Sequence, residues 1–116
     1  MSDAAVFTKA RIRGDLTAAM KARRSAETSL LRAILAALDN AEAVPVGTAH
    51  DRYAVRMFGD PSVEAPRRVL SEADVRALLL RETADREMAA QEFEALGKQN
   101  EAERLRNEVS LIARYL

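Results

Sequence analysis

Residues 71–116 read SEADVRALLLRETADREMAAQEFEALGKQNEAERLRNEVSLIARYL, and this stretch decides the fold. Apolar side chains recur in it at steps of three and four, a spacing that returns to one face of a helix. They are Val75, Leu78, Leu79, Ala89, Ala90, Phe93 and Leu96 before Gly97, and Leu105, Val109, Ile112 and Leu116 after it. The stretch therefore predicts two helices, over 72–96 and 100–115, folded back on each other at the glycine.

The ends of both helices carry recognisable signals. Ser71 is followed three residues later by Asp74, an arrangement in which each side chain can bond the backbone N–H of the other. Gly97 suits the left-handed conformation that ends many helices. Asn100, with Glu103 three residues on, is predicted to cap the second helix.

The order of residues in this hairpin resembles the GatB/YqeY family, small helical proteins related to part of the B subunit of glutamine-dependent tRNA amidotransferase. The resemblance covers most of the chain except about 44–70. The matching residues are Ser71, Arg86, Phe93, Gly97, Lys98, Asn100, Ala102, Glu108 and Tyr115-Leu116, with Asp15-Leu16, Ala19-Met20-Lys21-Ala22 and Leu31-Arg32 in the first half. Asp85 and Leu105 depart from the family pattern. Members generally continue beyond Tyr-Leu into a small tail domain associated with tRNA binding.

The resemblance implies a helical domain that supports tRNA recognition. The amidotransferase acts through an amidase subunit and a phosphate-activating core, and neither set of catalytic residues has a counterpart here. Any carbon–nitrogen ligase activity with glutamine as amido donor would come from association with that complex. The implied partners are tRNA or a tRNA-charging or amidotransferase complex.

Composition agrees with one helical domain. The 116 residues are 48% hydrophobic and include only five aromatic side chains, and a chain rich in alanine and leucine favours helices over strands. Eighteen basic residues balance eighteen acidic ones. Proteins that bind nucleic acid mainly through electrostatics usually carry a basic excess, so RNA binding would have to rest on a local cluster.

The first half predicts a second helical hairpin, with helices over 3–22 and 26–43. Ser25 is the expected cap of the second of these, and the short link makes the two antiparallel. The predicted inward positions are Phe7, Ile12, Leu16, Ala19 and Met20 on the first helix, and Leu30, Leu31, Ile34, Leu35 and Leu38 on the second. The fold class is thus an all-α bundle of about four helices in two antiparallel hairpins.

The two hairpins are separated by an irregular insertion at 44–70. Prolines and glycines interrupt any helical pattern there, namely Pro45, Gly47, Gly59, Pro61 and Pro66. Within it, Asp51 to Phe58 is compatible with a short helix. No function follows from this segment.

Basic residues concentrate near the N-terminus, where residues 1–24 contain six basic and two acidic side chains, a net charge of +4. One interpretation is a patch for an acidic partner such as tRNA. The other is a solvated helix face with cations favourably placed at a helix C-terminus. The candidate RNA or partner contacts are Lys21, Arg23, Arg24, Arg32 and Lys98.

Arg86 falls within the apolar register of the third helix, four residues after Glu82. A charge at such a position must be paired or must reach water. We interpret Glu82 and Arg86 as a candidate structural ion pair. The alternative is that Arg86 contacts a partner.

The sequence specifies no catalytic, metal or cofactor site. It has no cysteine and one histidine, His50, which makes a zinc site implausible. The four glycines are isolated, so there is no phosphate-binding loop. No apolar run reaches the ~20 residues of a membrane helix, and the absence of cysteine fits a cytoplasmic location.

Two functions of different classes remain open at this point. The first is a non-catalytic accessory protein of tRNA metabolism. The alternative is a helical protein–protein interaction module without RNA binding, with weak self-association through an apolar face around Val109 and Ile112.

Overall fold

The computed structural model describes residues 4–43 and 68–116. It contains four helices, α1 (Ala4–Lys21), α2 (Ser25–Glu42), α3 (Glu72–Ala95) and α4 (Gln99–Ile112), and α4 continues into a turn of 3-10 helix at Ala113–Tyr115. Helix α1 packs on α2, and α3 packs on α4. The predicted all-α bundle of two hairpins is confirmed.

The two hairpins turn through the same backbone motif. In the first, the N–H of Arg24 bonds the carbonyl of Ala19 at 2.9 Å and the N–H of Arg23 bonds that of Met20 at 3.1 Å. In the second, the donors are Lys98 and Gly97, at 2.8 and 3.0 Å. This pair of bonds ends a helix through one left-handed residue, which is Gly97 (φ 77°) in one hairpin and Arg23 (φ 60°) in the other.

Helix α3 begins as predicted. The Ser71 hydroxyl accepts the N–H of Asp74 at 3.1 Å, and the Asp74 carboxylate accepts the N–H of Ser71 at 3.1 Å. The predicted caps of the other two helices are wrong. Arg24 and Lys98 occupy the cap positions without a side-chain bond, because each turn motif ends directly at the following helix and leaves Ser25 and Asn100 inside its first turn.

The core lies where the two hairpins cross. It consists of Ala5, Ile12, Leu30, Leu31, Ile34, Leu38, Leu70, Val75, Leu79, Ile112 and Tyr115. Helix α3 thus contributes through its first half and α4 through its end. Beyond that contact the second hairpin projects outward, with Ala90 and Ala102 fully buried between its own helices. The radius of gyration of 17.4 Å exceeds the ≈ 13 Å of a compact domain of about 100 residues.

Several predicted inward positions are wrong. Phe7 and Met20 are 69% and 50% exposed, and Leu96 and Leu116 are 71% and 41% exposed. The buried face of α1 follows Ala5, Ile12 and Ala19, at steps of seven residues, and Phe7 lies roughly 200° around the helix from Ala5.

Residues 68–70 lead into α3, with the N–H of Arg68 bonded to the carbonyl of Glu42 at 2.6 Å and Leu70 buried in the core. The predicted short helix at 51–58, His50 and the prolines of the insertion lie outside the described residues. None of the described helices combines the length and apolarity that crossing a bilayer requires.

Candidate nucleic-acid interface

A groove of about 360 Å³ opens beside the turn between α1 and α2. Its α2 wall presents Ser25, Thr28, Ser29 and Arg32, which follow the i, i+3, i+4, i+7 spacing of one helix face. Its other wall presents Met20 of α1 and Arg23 of the turn. The buried leucines of α2 occupy the opposite face, so the amphipathic pattern that builds the core also directs this polar stripe toward solvent.

The two arginines of the groove have no acidic partner among residues 4–43 and 68–116. Within the described residues neither Arg23 nor Arg32 forms an ion pair, and the contact recorded for the Arg32 side chain is Nη2 to the Met20 sulfur at 3.8 Å. The nearest acidic residue in the sequence, Glu27, does not line the groove. It pairs instead with Arg114 at 3.1 Å and with Arg24 at 3.6 Å. In the part of the chain that the structure describes, no carboxylate neutralises the positive charge of the groove.

Arg23 occupies a conformation that glycine ordinarily adopts. A side chain in the left-handed region costs roughly 1–2 kcal/mol, and the equivalent position of the second hairpin is Gly97. Strain of this kind, at an exposed residue, motivates a functional hypothesis. In this conformation Arg23 is one of the residues that line the groove.

Four of the five predicted contacts belong to one region of the molecule. Arg23 and Arg32 line the groove, and Lys21 and Arg24 are exposed in the same turn. Lys98 lies apart, at the turn of the second hairpin, about 20 Å along α4 from the end that meets the first hairpin. We call Lys21, Arg23, Arg24 and Arg32 the cationic corner.

The basic N-terminal segment contributes less free charge than its net +4 suggests. Lys9 is buried against α2, where its ammonium donates to Glu42 and, at 3.1 Å, to Asp39. The bond to Glu42 outweighs burial and raises the pKa of Lys9. Lys9 is therefore part of the helix packing and is removed from the candidate surface.

The chain's last residues are fixed to the first hairpin by a group that we call the C-terminal clasp. The Tyr115 hydroxyl donates to Asp15, and the guanidinium carbons of Arg11 and Arg114 lie 5.2 and 5.7 Å from the centre of its ring. Arg11 also donates to the carbonyl of Arg114 at 3.1 Å, and Arg114 pairs with Glu27. These contacts position α4 against α1 and α2.

The clasp predicts a loss of stability at high pH. Burial and the bond to Asp15 raise the pKa of Tyr115 from 10 to about 12. Because the unfolded chain then releases this proton first, the stabilisation is complete below about pH 10 and is lost as the pH rises to 12. We expect the free energy of unfolding, measured by urea titration at pH 8, 10 and 11.5, to fall less steeply in Tyr115→Phe than in the unmodified chain.

Lys9 also has a raised pKa, but it is present in both proteins, so the difference between them isolates Tyr115. Equal slopes in the two proteins would contradict the clasp.

Arg86 joins the two helices of the second hairpin. Its Nη1 donates to Oε1 and to the carbonyl oxygen of Glu82, at 2.8 and 3.0 Å, and its Nε donates to Oε1 of Glu108 at 2.8 Å. Burial acts to lower the pKa of Arg86, but the two carboxylates outweigh it and raise the pKa. The predicted contact with Glu82 is present, and the bond across the hairpin to Glu108 was not predicted. Both carboxylates engage this arginine, which supports the structural interpretation of Arg86 over a partner contact.

Four residues of the groove were not predicted to line it. Met20 was assigned to the core, Ser25 was assigned as a helix cap, and Thr28 and Ser29 had no predicted role. A usable signal was present, because Ser25, Thr28, Ser29 and Arg32 recur at helical spacing opposite the leucine face. Across the ranges 4–43 and 68–116, no group of three His, Asp or Glu side chains is placed to hold a metal ion.

Comparison with known proteins adds no relative: no family model matches the chain, and no curated protein or solved structure shows significant similarity to it. The fold and the groove define the class of molecule, an all-α protein of two hairpins with a cationic groove at one turn.

Proposed function

We propose that this chain is a non-catalytic accessory protein of tRNA metabolism that contacts the RNA backbone through the cationic corner. The single observation that carries the proposal is the groove in which Arg23 and Arg32, both without acidic partners among the described residues, stand beside three hydroxyl side chains. Arginines and hydroxyls are the side chains that contact phosphate and sugar in nucleic-acid complexes.

The choice of tRNA rests on the resemblance to the GatB/YqeY family and to the helical domain of the amidotransferase B subunit. The groove itself supports a broader statement, binding of an RNA backbone. In this proposal the chain acts beside tRNA-charging or amidotransferase enzymes in the cytoplasm and supplies no catalytic residue of its own.

The zero net charge of the chain determines how strongly RNA affinity should depend on salt concentration. Attraction over a long distance would be weak, so affinity depends on the few cations that touch phosphate. Each phosphate neutralised releases counterions, which makes the logarithm of the affinity fall with the logarithm of the salt concentration. A small contact set predicts a shallow slope, of about 2–4.

The test uses a variant that removes a cation and leaves the fold intact. Replacing Arg23 by glycine relieves the left-handed strain, and after allowance for the greater freedom of glycine in the unfolded chain, stability should stay equal or rise by up to about 1 kcal/mol. RNA affinity should fall and the salt slope should become shallower by about 1. Fluorescence anisotropy with labelled tRNA, together with urea unfolding, measures both.

A second variant and its control complete this test. Arg23→Ala/Arg32→Ala should lower the salt slope by about 2. Arg81→Ala/Arg104→Ala removes the same charge from exposed positions of the second hairpin and should leave binding nearly unchanged. Equal losses in both double variants would show that binding has no preferred site and would overturn the proposal.

The second candidate function, a protein-interaction module, is favoured by exposed apolar side chains. Phe7 on α1 is 69% exposed, and Met88 and Leu96 on the projecting hairpin are 62% and 71% exposed. The particular face proposed around Val109 and Ile112 is wrong, since Ile112 is 1% exposed and belongs to the core. Sedimentation at micromolar concentration distinguishes a self-associating chain from a monomer.

A further inference from the structure

We propose that the groove between α1 and α2 holds an unpaired nucleotide of single-stranded RNA, with the base against Met20 and Arg32 and the adjoining phosphates at Arg23 and the α2 hydroxyls. This inference rests on the proposed function and narrows it, because a chain that reads only phosphates would accept a duplex equally well.

The size of the groove carries the first step. At about 360 Å³ it has room for a nucleotide, and because it is open to solvent on its outer side it would cover one face of a base and leave the other exposed. A water molecule occupies about 30 Å³, and a phosphate group is only a few times larger. A lone phosphate group would therefore leave most of the groove to solvent. A nucleotide, with its base, sugar and phosphate, uses more of the available space.

The chemistry of the two walls carries the second step. Met20 is half exposed, and its sulfur lies 3.8 Å from Arg32 Nη2. This contact places an apolar, polarisable group beside a flat guanidinium, and the faces of guanidinium groups are surfaces on which unpaired RNA bases stack. A base stacked here would cover the exposed Met20 side chain, which phosphate contacts alone leave in water.

The flanking charges carry the third step. Lys21 and Arg24 are exposed on either side of Arg23 in the chain, and Arg24 is more than half exposed despite its contact with Glu27. Cations that follow a backbone on both sides of a stacked base are the arrangement by which proteins hold single strands. In a duplex the bases are stacked inside and cannot enter the groove.

The experiment compares three probes at 50 mM salt by fluorescence anisotropy: a 12-nucleotide oligouridine, the same oligonucleotide with abasic positions, and a 12-base-pair RNA duplex. The unmodified chain should bind the oligouridine roughly tenfold more tightly than either of the others, since stacking of one base is worth about that factor or more. The abasic probe keeps every phosphate, so it isolates the contribution of the base.

Two variants locate the effect. Arg32→Lys keeps the charge and removes the planar group, and should lose most of the preference for the oligouridine while binding the duplex within about twofold of the unmodified chain. Arg81→Lys, on the exposed face of α3, is the matched control and should change nothing.

Each outcome decides a separate question. Equal affinity for all three probes would overturn the nucleotide site and leave backbone binding intact. An intact preference in Arg32→Lys would place the base elsewhere and would also overturn it. Absence of binding to all three probes would overturn both this inference and the proposed function.

Discussion

Replacing Ile112 by alanine is expected to lower the free energy of unfolding by about 2–5 kcal/mol, the cost of removing a large apolar side chain from a packed interior. Ile112 is 1% exposed and lies at the end of α4, in the core shared by both hairpins. Urea unfolding followed by far-ultraviolet circular dichroism measures the effect. Because this residue connects the projecting hairpin to the first one, its loss should weaken the whole fold.

The control for this variant is Leu96→Ala. Leu96 also belongs to the apolar pattern of the second hairpin but is 71% exposed, so its replacement should change stability by no more than about 0.5 kcal/mol. If Ile112→Ala were equally silent and instead changed the sedimentation coefficient, Ile112 would be a surface contact between chains, and the core described above would be wrong.

The second large effect is expected at Arg86. Its side chain is 16% exposed and bridges Glu82 and Glu108, which are 27% and 22% exposed. Arg86→Ala would leave two partly buried carboxylates facing each other without a cation. Removing one member of a buried pair costs 3–5 kcal/mol; after allowance for the partial exposure, we expect a loss of about 2–3 kcal/mol.

Arg106→Ala is the matched control for Arg86. Arg106 makes a similar 2.9 Å bond across the same hairpin, to Glu94, but the two side chains are 44% and 48% exposed. Exposed pairs contribute at most about 1 kcal/mol. We expect a clear difference in the free energy of unfolding between the two variants, and equal losses would show that burial does not decide the strength of these pairs. Recovery of stability in Arg86→Ala/Glu108→Ala would identify the repulsion between carboxylates as the cause.

The signals that predicted the fold were local ones. Ser71 with Asp74 gave the start of α3, Gly97 gave its end, and the spacing of leucines and alanines gave the four helices. Each of these signals depends on residues that lie within a few positions of one another in the chain. Such patterns can therefore be recognised directly in the sequence. The first hairpin turns through the same motif as the second, but Arg23 stands where a glycine would have revealed it.

The pairings between helices were harder to predict because they depend on the register of each hairpin. The contact from Arg86 to Glu108 joins residues equally distant, by eleven positions, from Gly97. Pairing residues at equal distances on either side of Gly97 would therefore have predicted this contact. The C-terminal clasp has no such rule, since Tyr115 and Asp15 meet only through the crossing of two hairpins.

The groove was predicted in part. Arg23 was identified from the density of cations in residues 1–24, and Arg32 belongs to the residues that carry the family resemblance. The shape of the groove depends on the turn that sets Met20 against Arg32. The contact between Met20 and Arg32 was not predicted because the apolar residues of α1 are irregularly spaced. Met20 follows the buried Ala19 in the sequence and was therefore assigned to the core. Lys98 was assigned by resemblance alone, and it lies on the other hairpin.

The most direct measurement of the central claim is the binding of labelled tRNA to the intact chain across a series of salt concentrations, with double-stranded DNA as the control. We expect micromolar or tighter binding to tRNA that weakens as the salt concentration rises, with a clear preference for tRNA over the DNA. No binding at low salt, or equal binding to both nucleic acids, would contradict a role in tRNA metabolism and would favour the protein-interaction module.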